Sequence, residues 1–175
     1  MVSAVLLIST TCLDAQPAEP YVGLYADAGH SVMSVYNTGG FMPFELWIWW
    51  LPSQHGLITM EFKLTYPSNV IAILVTRNPD LMIVLDECIG YLCPMFQTCH
   101  IDWVWSHHQT CYLTSAVPGF VEIGPSPYAS AVLAANCELG YPIEEVIVLN
   151  NLALNQEGAI AVELQSWGAI RNLYR

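Results

Sequence analysis

The sequence predicts an all-β domain, a sandwich of jelly-roll or immunoglobulin-like topology. Three observations predict it. Residues 57–66 alternate strictly: Ile58, Met60, Phe62, Leu64 and Tyr66 fall on one side of an extended backbone, and Thr59, Glu61, Lys63 and Thr65 on the other. That is the pattern of a sheet with one buried and one wet face. Other short apolar or alternating runs recur along the chain, each closed by a Gly, Pro, Asn or Asp cluster. No long stretch with a helical period separates them, which argues for a sandwich or a barrel.

Taken in order, residues 21–26 form the first predicted strand, closed by Asp27-Ala28-Gly29, and 31–36 the second, ending at Asn37-Thr38-Gly39-Gly40. Residues 44–50 are the third, and 52–56 turn the chain into the alternating run 57–66. Pro67-Ser68-Asn69 breaks that run, and the β-branched segment 70–75 follows. Asn78-Pro79-Asp80 introduces 81–85. Residues 101–105, 110–114 and 120–123 give three more strands, and 146–149 the last. Residues 129–135 are ambiguous, since their alanines favour helix and their position favours strand. The sandwich is expected over 21–157. Residues 158–175 are read as a tail, with Trp167, Ile170 and Tyr174 near one face of a short terminal helix if it is not extended.

Of the 175 residues 54% are hydrophobic and only 11% charged, against roughly 25% charged in ordinary soluble domains. Disorder is excluded on that ground, and exposed apolar surface is expected. Lys63, Arg77, Arg171 and Arg175 are the only cations against fifteen acids, for a net charge of -11. Such a chain repels polyphosphates, so nucleic acid is not an expected partner, nor is an anionic lipid surface. Val2 to Ile8 is a short apolar run followed by a polar, Pro-containing stretch. Residues 1–15 therefore read as the end of a secretory signal peptide cleaved after Ala15, with a frayed N-terminal strand as the alternative. The run 41–51 is too short to span a bilayer, which takes about 20 residues.

Cysteines and histidines concentrate between Cys88 and Cys111, with Cys93, Cys99, His100, His107 and His108 between them. The spacings lack the paired Cys-x2-Cys of zinc ribbons, so Cys99, His107, His108 and Cys111 are only weak metal candidates. In an exported chain thiols oxidise, and Cys88, Cys93, Cys99, Cys111 and Cys137 are the disulfide candidates. Their odd number leaves one thiol free or paired between chains. Cys99 or Cys111 beside His107 or His108 would need an orienting group and an oxyanion hole to act as a nucleophile, and the sequence signals neither. Glu144 and Glu145 are adjacent on a strand and face apart, unlike glycosidase carboxylates. No calcium loop, phosphate loop, nucleophile elbow or dinucleotide fingerprint is present. No catalytic residue and no cofactor are expected.

The tryptophans carry the binding reading. Along 44–50, Phe44, Leu46, Ile48 and Trp50 take one face while Glu45, Trp47 and Trp49 take the other. One face fills the core, and the second needs a cover, whether a loop of the chain, a partner or a ligand. Trp103 and Trp105 share a face further on. Trp47, Trp49, Trp103 and Trp105 are thus the candidate binding residues, unless the Cys-rich loop of the same chain buries Trp47 and Trp49.

The amphipathic strand ending in Tyr66-Pro67-Ser68-Asn69, followed by Val70-Ile71, resembles the Leu-x-Tyr-Asp-Pro-x-x-Leu region of cohesin-type domains. Pro67-Ser68 stands where an Asp-Pro pair is usual, and Cys and Trp are more abundant than in that family. The likeness in arrangement covers 21–157. The tail from Trp167 to Tyr174 is also similar to that of secreted proteins of uncultured bacteria. The cohesin resemblance implies a jelly-roll sandwich of secreted or cell-surface proteins, many of them adhesion or docking modules. The expected role is a non-catalytic interaction or structural module at the cell surface, with a protein or glycan partner or with copies of itself. A carbohydrate-binding module using the same tryptophans is the second reading. A small zinc or thiol enzyme is the third.

Overall fold

The structure, a computed structural model, describes residues 16–37, 39–85 and 92–156. Among these the chain is all-β, without a helix. The strands, in chain order, are Tyr21–Tyr25 (β1), Ser34–Val35 (β2), Met42–Leu51 (β3), Leu57–Glu61 (β4), Lys63–Thr65 (β5), Val70–Arg77 (β6) and Leu81–Leu85 (β7). Then come Cys93–His100 (β8), Val104–Leu113 (β9), Gly119–Gly124 (β10), Leu133–Ala135 (β11), Ile143–Glu145 (β12), Ile147–Asn150 (β13) and Leu152–Leu154 (β14). The expected signal segment 1–15, Cys88 and the tail 158–175 with its terminal helix lie outside the described residues.

One sheet has the order β13-β1-β3-β9-β6, a second β12-β11-β4-β8-β7, and a third β2-β14-β10-β5. Pairing is antiparallel except for β1 with β13 and β2 with β14, which run parallel. The pleat of β3 sends Phe44, Leu46, Ile48 and Trp50 inward, as the sequence predicts. Val22 and Leu24 of β1 join them, with Leu57, Met60 and Phe96 of the second sheet and Val121, Ile123, Leu152 and Leu154 of the third. Burying each large apolar side chain stabilises the fold by about 1.5–3 kcal/mol.

Three elements differ from the expectation. The alternating run 57–66 keeps its inner face, with Met60 and Phe62 buried and Ile58, Leu64 and Tyr66 partly buried against the core. It is not one strand, however. It changes partners at Phe62: β4 pairs with β11 and β8, β5 pairs with β10, and Phe62 itself exchanges two backbone hydrogen bonds with Leu92. Conversely, the end of the run expected at 101–105 and most of the run expected at 110–114 belong to a single ten-residue strand, Val104–Leu113 (β9), which residues 101–103 precede. The intervening Ser106, His107 and Gln109 look like a polar break but are buried. They have uses inside: the Trp50 indole donates to Ser106 Oγ at 3.0 Å, and the Tyr66 hydroxyl donates to Gln109. Third, β8 occupies part of what reads as a Cys-rich loop. Smaller changes are that 31–36 yields only the two-residue β2 and that 129–135 resolves as a strand over its last three residues.

His107 is 1% exposed, and neither ring nitrogen has a protein hydrogen-bond partner. Burial, with a smaller contribution from the Arg77 charge, lowers its pKa from 6.5 to about 4. The unfolded chain therefore takes up a proton that the folded chain refuses. Stability supplied by the neutral imidazole is complete above pH 6.5 and is lost as pH falls from there to about 4, on the order of 3 kcal/mol in all. Urea midpoints of the wild type and His107→Leu at pH 7 and pH 4.5 check this. The variant should lose much less stability over that interval, and equal losses would refute the assignment.

Candidate functional site

Alternation on β3 turns Glu45, Trp47 and Trp49 to the outer face of the first sheet. Register sets their neighbours. Trp47 lies opposite Tyr25 of β1 and His108 of β9, and Trp49 opposite Gly23 and Trp105. Gly23 is required for close approach: a Cβ there would meet the ring and hydroxyl of Tyr25 at 2.8 Å. Lacking one, it lets the Tyr25 ring lie down on the sheet and become buried.

The loop after β1 completes the surface. Asp27 accepts hydrogen bonds from the backbone N–H groups of Gly29, Ser31 and Val32 at 3.2, 2.9 and 2.7 Å, and from Ser31 Oγ at 2.8 Å. Burial pushes its carboxyl up, but these bonds together outweigh that and hold it below the ordinary value. The tight turn leaves His30 in the left-handed region, at φ 43°. Its ring stacks on Trp103 (4.7 Å, 16°) and tilts against Trp49 (4.9 Å, 55°), with the Tyr25 ring edge-on at 5.9 Å. Nearby, Trp47 stacks on His108 (4.1 Å, 13°) and meets Trp105 edge-on at 5.3 Å. His108 Nε2 donates to Glu45, which Thr110 Oγ1 also approaches at 3.4 Å.

The structure thus brings Trp47, Trp49, Trp103 and Trp105 onto one sheet face, each half-buried. Trp103 precedes β9 instead of lying on a strand with Trp105, yet it reaches the same surface. His30 packs on Trp49 and in turn stacks on Trp103. Because His108 takes one face of Trp47 and His30 one face of Trp103, the rings form a packed layer and not a set of free platforms. An apolar, pre-ordered centre with Glu45, Thr110 and Tyr112 beside it has the make-up of a protein interface, with its aromatic core and polar rim.

Among the described residues the cysteine and histidine cluster does not assemble into a reactive site. Cys99 and Cys137 form a disulfide with their Cα atoms 5.9 Å apart, so Cys99 is neither ligand nor nucleophile. His107 points into the core and His108 to the outer face, as neighbours on a strand must. Cys111 is buried and forms no disulfide. Burial, with a smaller push from Glu45, raises its pKa to about 12, which keeps it protonated and inert. The weak metal set Cys99, His107, His108 and Cys111 is therefore dispersed, and among the described residues no three His, Cys, Asp or Glu side chains converge. Cys93 opens β8, and Cys88 lies outside the described residues. On the second sheet, Thr59, Met60, Glu61, Cys93, Leu133 and Ile143 help line a pocket of about 110 Å³, well short of the roughly 300 Å³ of a small-molecule site.

Sequence reasoning missed Tyr25, His30 and the Glu45–His108 pair. The Asp27-Ala28-Gly29 turn was the available signal for His30, because a turn that tight returns the next side chain to the sheet it has just left. Glu45 and His108 give no local signal; only the pairing of β3 with β9 joins them.

No protein-family model matches the chain, and no curated protein matches it in sequence. Solved structures match its shape. A chain of a type I cohesin–dockerin complex from Clostridium thermocellum superposes with a TM-score of 0.52 at 8% identity, over 79% of this chain and 94% of that one. A second type I cohesin–dockerin complex from the same organism gives 0.51 at 9% identity, over 78% and 97%. The non-cellulosomal cohesin of the archaeon Archaeoglobus fulgidus gives 0.51 at 7% identity, over 88% and 98%. The chain has a cohesin-like β-sandwich fold.

Proposed function

We propose that the chain is a non-catalytic protein-binding module of the cell exterior, and that the aromatic face of β1, β3 and β9 is its contact surface. The observation that carries this is the layer of four half-buried tryptophans, locked by His30 and His108, on a sheet face the core does not need. Buried-edge tryptophans are the residues that dominate binding energy at protein interfaces. Fold analogy adds that the similar structures from Clostridium thermocellum are cohesins in complex with dockerins, which are protein partners. The Cys99–Cys137 disulfide supports export, since such bonds persist in oxidising compartments.

Affinity capture from the secreted fraction of the source organism tests the reading. The wild type should retain a protein that the Trp47→Ala/Trp49→Ala double variant loses, with the dissociation constant raised at least about 100-fold. Melting temperatures of both proteins show whether the variant is still folded. A tryptophan fluorescence shift on a glycan panel, with no protein retained, would instead assign the face to carbohydrate, as the carboxylate of Glu45 beside the indoles permits.

A further inference from the structure

We infer that the aromatic face takes its protein partner through an arginine, whose guanidinium pairs with Glu45 beside the indole of Trp47. The inference rests on the reading of that face as the contact surface and names what the partner must bring to it.

The charges of the first sheet are few and one-sided. β1, β9 and β13 hold no Asp, Glu, Lys or Arg, and β3 holds only Glu45, on the outer face. β6 adds Arg77, which lies opposite the inward-facing His107 in the register and therefore takes the inward parity. Lys63, the other Lys or Arg of the described residues, belongs to β5 in the third sheet. At the rim of the aromatic face stand Asp27, bonded within its own turn, and Asp102, exposed beside Trp103. Among the described residues this face thus carries acids and neither a lysine nor an arginine, on a chain of net charge -11. Its field attracts a basic partner and repels an acidic one.

Within the basic class, the placement of the carboxylate selects arginine. The Glu45 side chain is 44% exposed. Its Oε2 accepts from His108 Nε2, while among the described residues Oε1 has only Thr110 Oγ1, at 3.4 Å. The carboxylate is held at one oxygen and open at the other. The imidazole that holds it also stacks on Trp47 at 4.1 Å, and Trp47 meets Trp105 edge-on, so acid and indoles are fixed relative to one another. A docked partner shuts water away from Glu45, and a carboxylate so enclosed opposes binding unless a cation meets it. A guanidinium suits both parts of the surface. Its N–H fork bonds the carboxylate and its weakly hydrated plane lies against aromatic rings, whereas an ammonium holds its water more strongly.

Panning a displayed library of random peptides against the immobilised full chain tests this. The peptides that the wild type retains and Trp47→Ala/Trp49→Ala loses should share an arginine. For a synthetic peptide of that set, Glu45→Gln should raise the dissociation constant at least about tenfold while leaving the melting temperature of the protein unchanged. Citrulline in place of the peptide's arginine keeps the plane, loses the charge and should cost as much. Lysine keeps the charge, loses the plane and should weaken binding at least about threefold. Should Glu45→Gln lower the melting temperature, a charge exchange decides: Glu45→Arg should prefer the peptide whose arginine is replaced by glutamate, and no such reversal overturns the inference. Tryptophan-dependent peptides that lack an arginine, or that ignore both Glu45→Gln and citrulline, overturn it and leave the aromatic face as the contact surface. Equal binding of the lysine peptide overturns it by reducing the requirement to charge. A library that yields no tryptophan-dependent peptide overturns the reading of the face, and this inference with it.

Discussion

Replacing Cys99 and Cys137 together by alanine is expected to lower the unfolding free energy by about 4 kcal/mol. The bond joins residues 38 apart, and loop-closure entropy for a ring of that length gives this figure. It ties the end of β8 to the loop after β11, so its loss also frees the margin of the second sheet. Gly56 is fitted to the same bond. It holds φ at 79°, and a Cβ on it would stand 2.5 Å from the Cys99 sulfur, 2.9 Å from the Cys137 sulfur and 3.2 Å from the His100 carbonyl oxygen. Gly56→Ala therefore combines left-handed strain with a collision, and its cost should approach that of losing the bridge. The two costs should not add. In the protein without the bridge the sulfurs are gone and only the strain and the carbonyl contact remain, so Gly56→Ala should be milder there by at least about 1 kcal/mol. Guanidinium denaturation of the four proteins of this cycle measures the difference. Equal costs in both backgrounds would show that Gly56 is not fitted to the disulfide.

Phe62→Ala is expected to cost about 3–5 kcal/mol, as large-to-small changes at fully buried aromatics do. Phe62 is 0% exposed and packs against the Trp50 ring at 5.2 Å and 59°. It also sits where the chain passes from the second sheet to the third, so a cavity there loosens both. Ile58→Ala, four residues away on the same nominal face but only partly buried, should cost clearly less. Trp50→Phe tests the partner ring. It keeps most of the apolar volume but strands the Ser106 hydroxyl that the indole satisfies at 3.0 Å, for a further cost of about 1–3 kcal/mol. Similar losses for Phe62→Ala and Ile58→Ala would mean that Phe62 is not the junction's anchor.

The strand faces were legible in the sequence because side-chain alternation is a local property. The two faces of β3, and the inward set Met60 and Phe62, follow from residue identity alone. Partners were not legible. Nothing in Leu57 to Tyr66 announces that the backbone changes sheets at Phe62, since the inner face continues unbroken through the switch. Hydropathy misled at Ser106, His107 and Gln109, where polar side chains go inward, two of them against Trp50 and Tyr66. The same limit applies to the site. All four tryptophans were found from their residue type, whereas His30 and His108, which fix the indoles in place, are recognisable only once the register of β1, β3 and β9 is known. The cohesin likeness was readable from about ten residues of motif and reached the fold, although Pro67-Ser68 departs from the pattern.

The parallel pairing of β1 with β13 and of β2 with β14 has a mechanical consequence. The first two strands of the described domain lie alongside its last two and run the same way, so the points where chain enters and leaves are at opposite ends of those ladders. Tension transmitted through the polypeptide pulls each ladder lengthwise, in shear. The rungs must then give way together instead of parting one at a time like a zip, and the domain resists being stretched more than its modest number of rungs suggests.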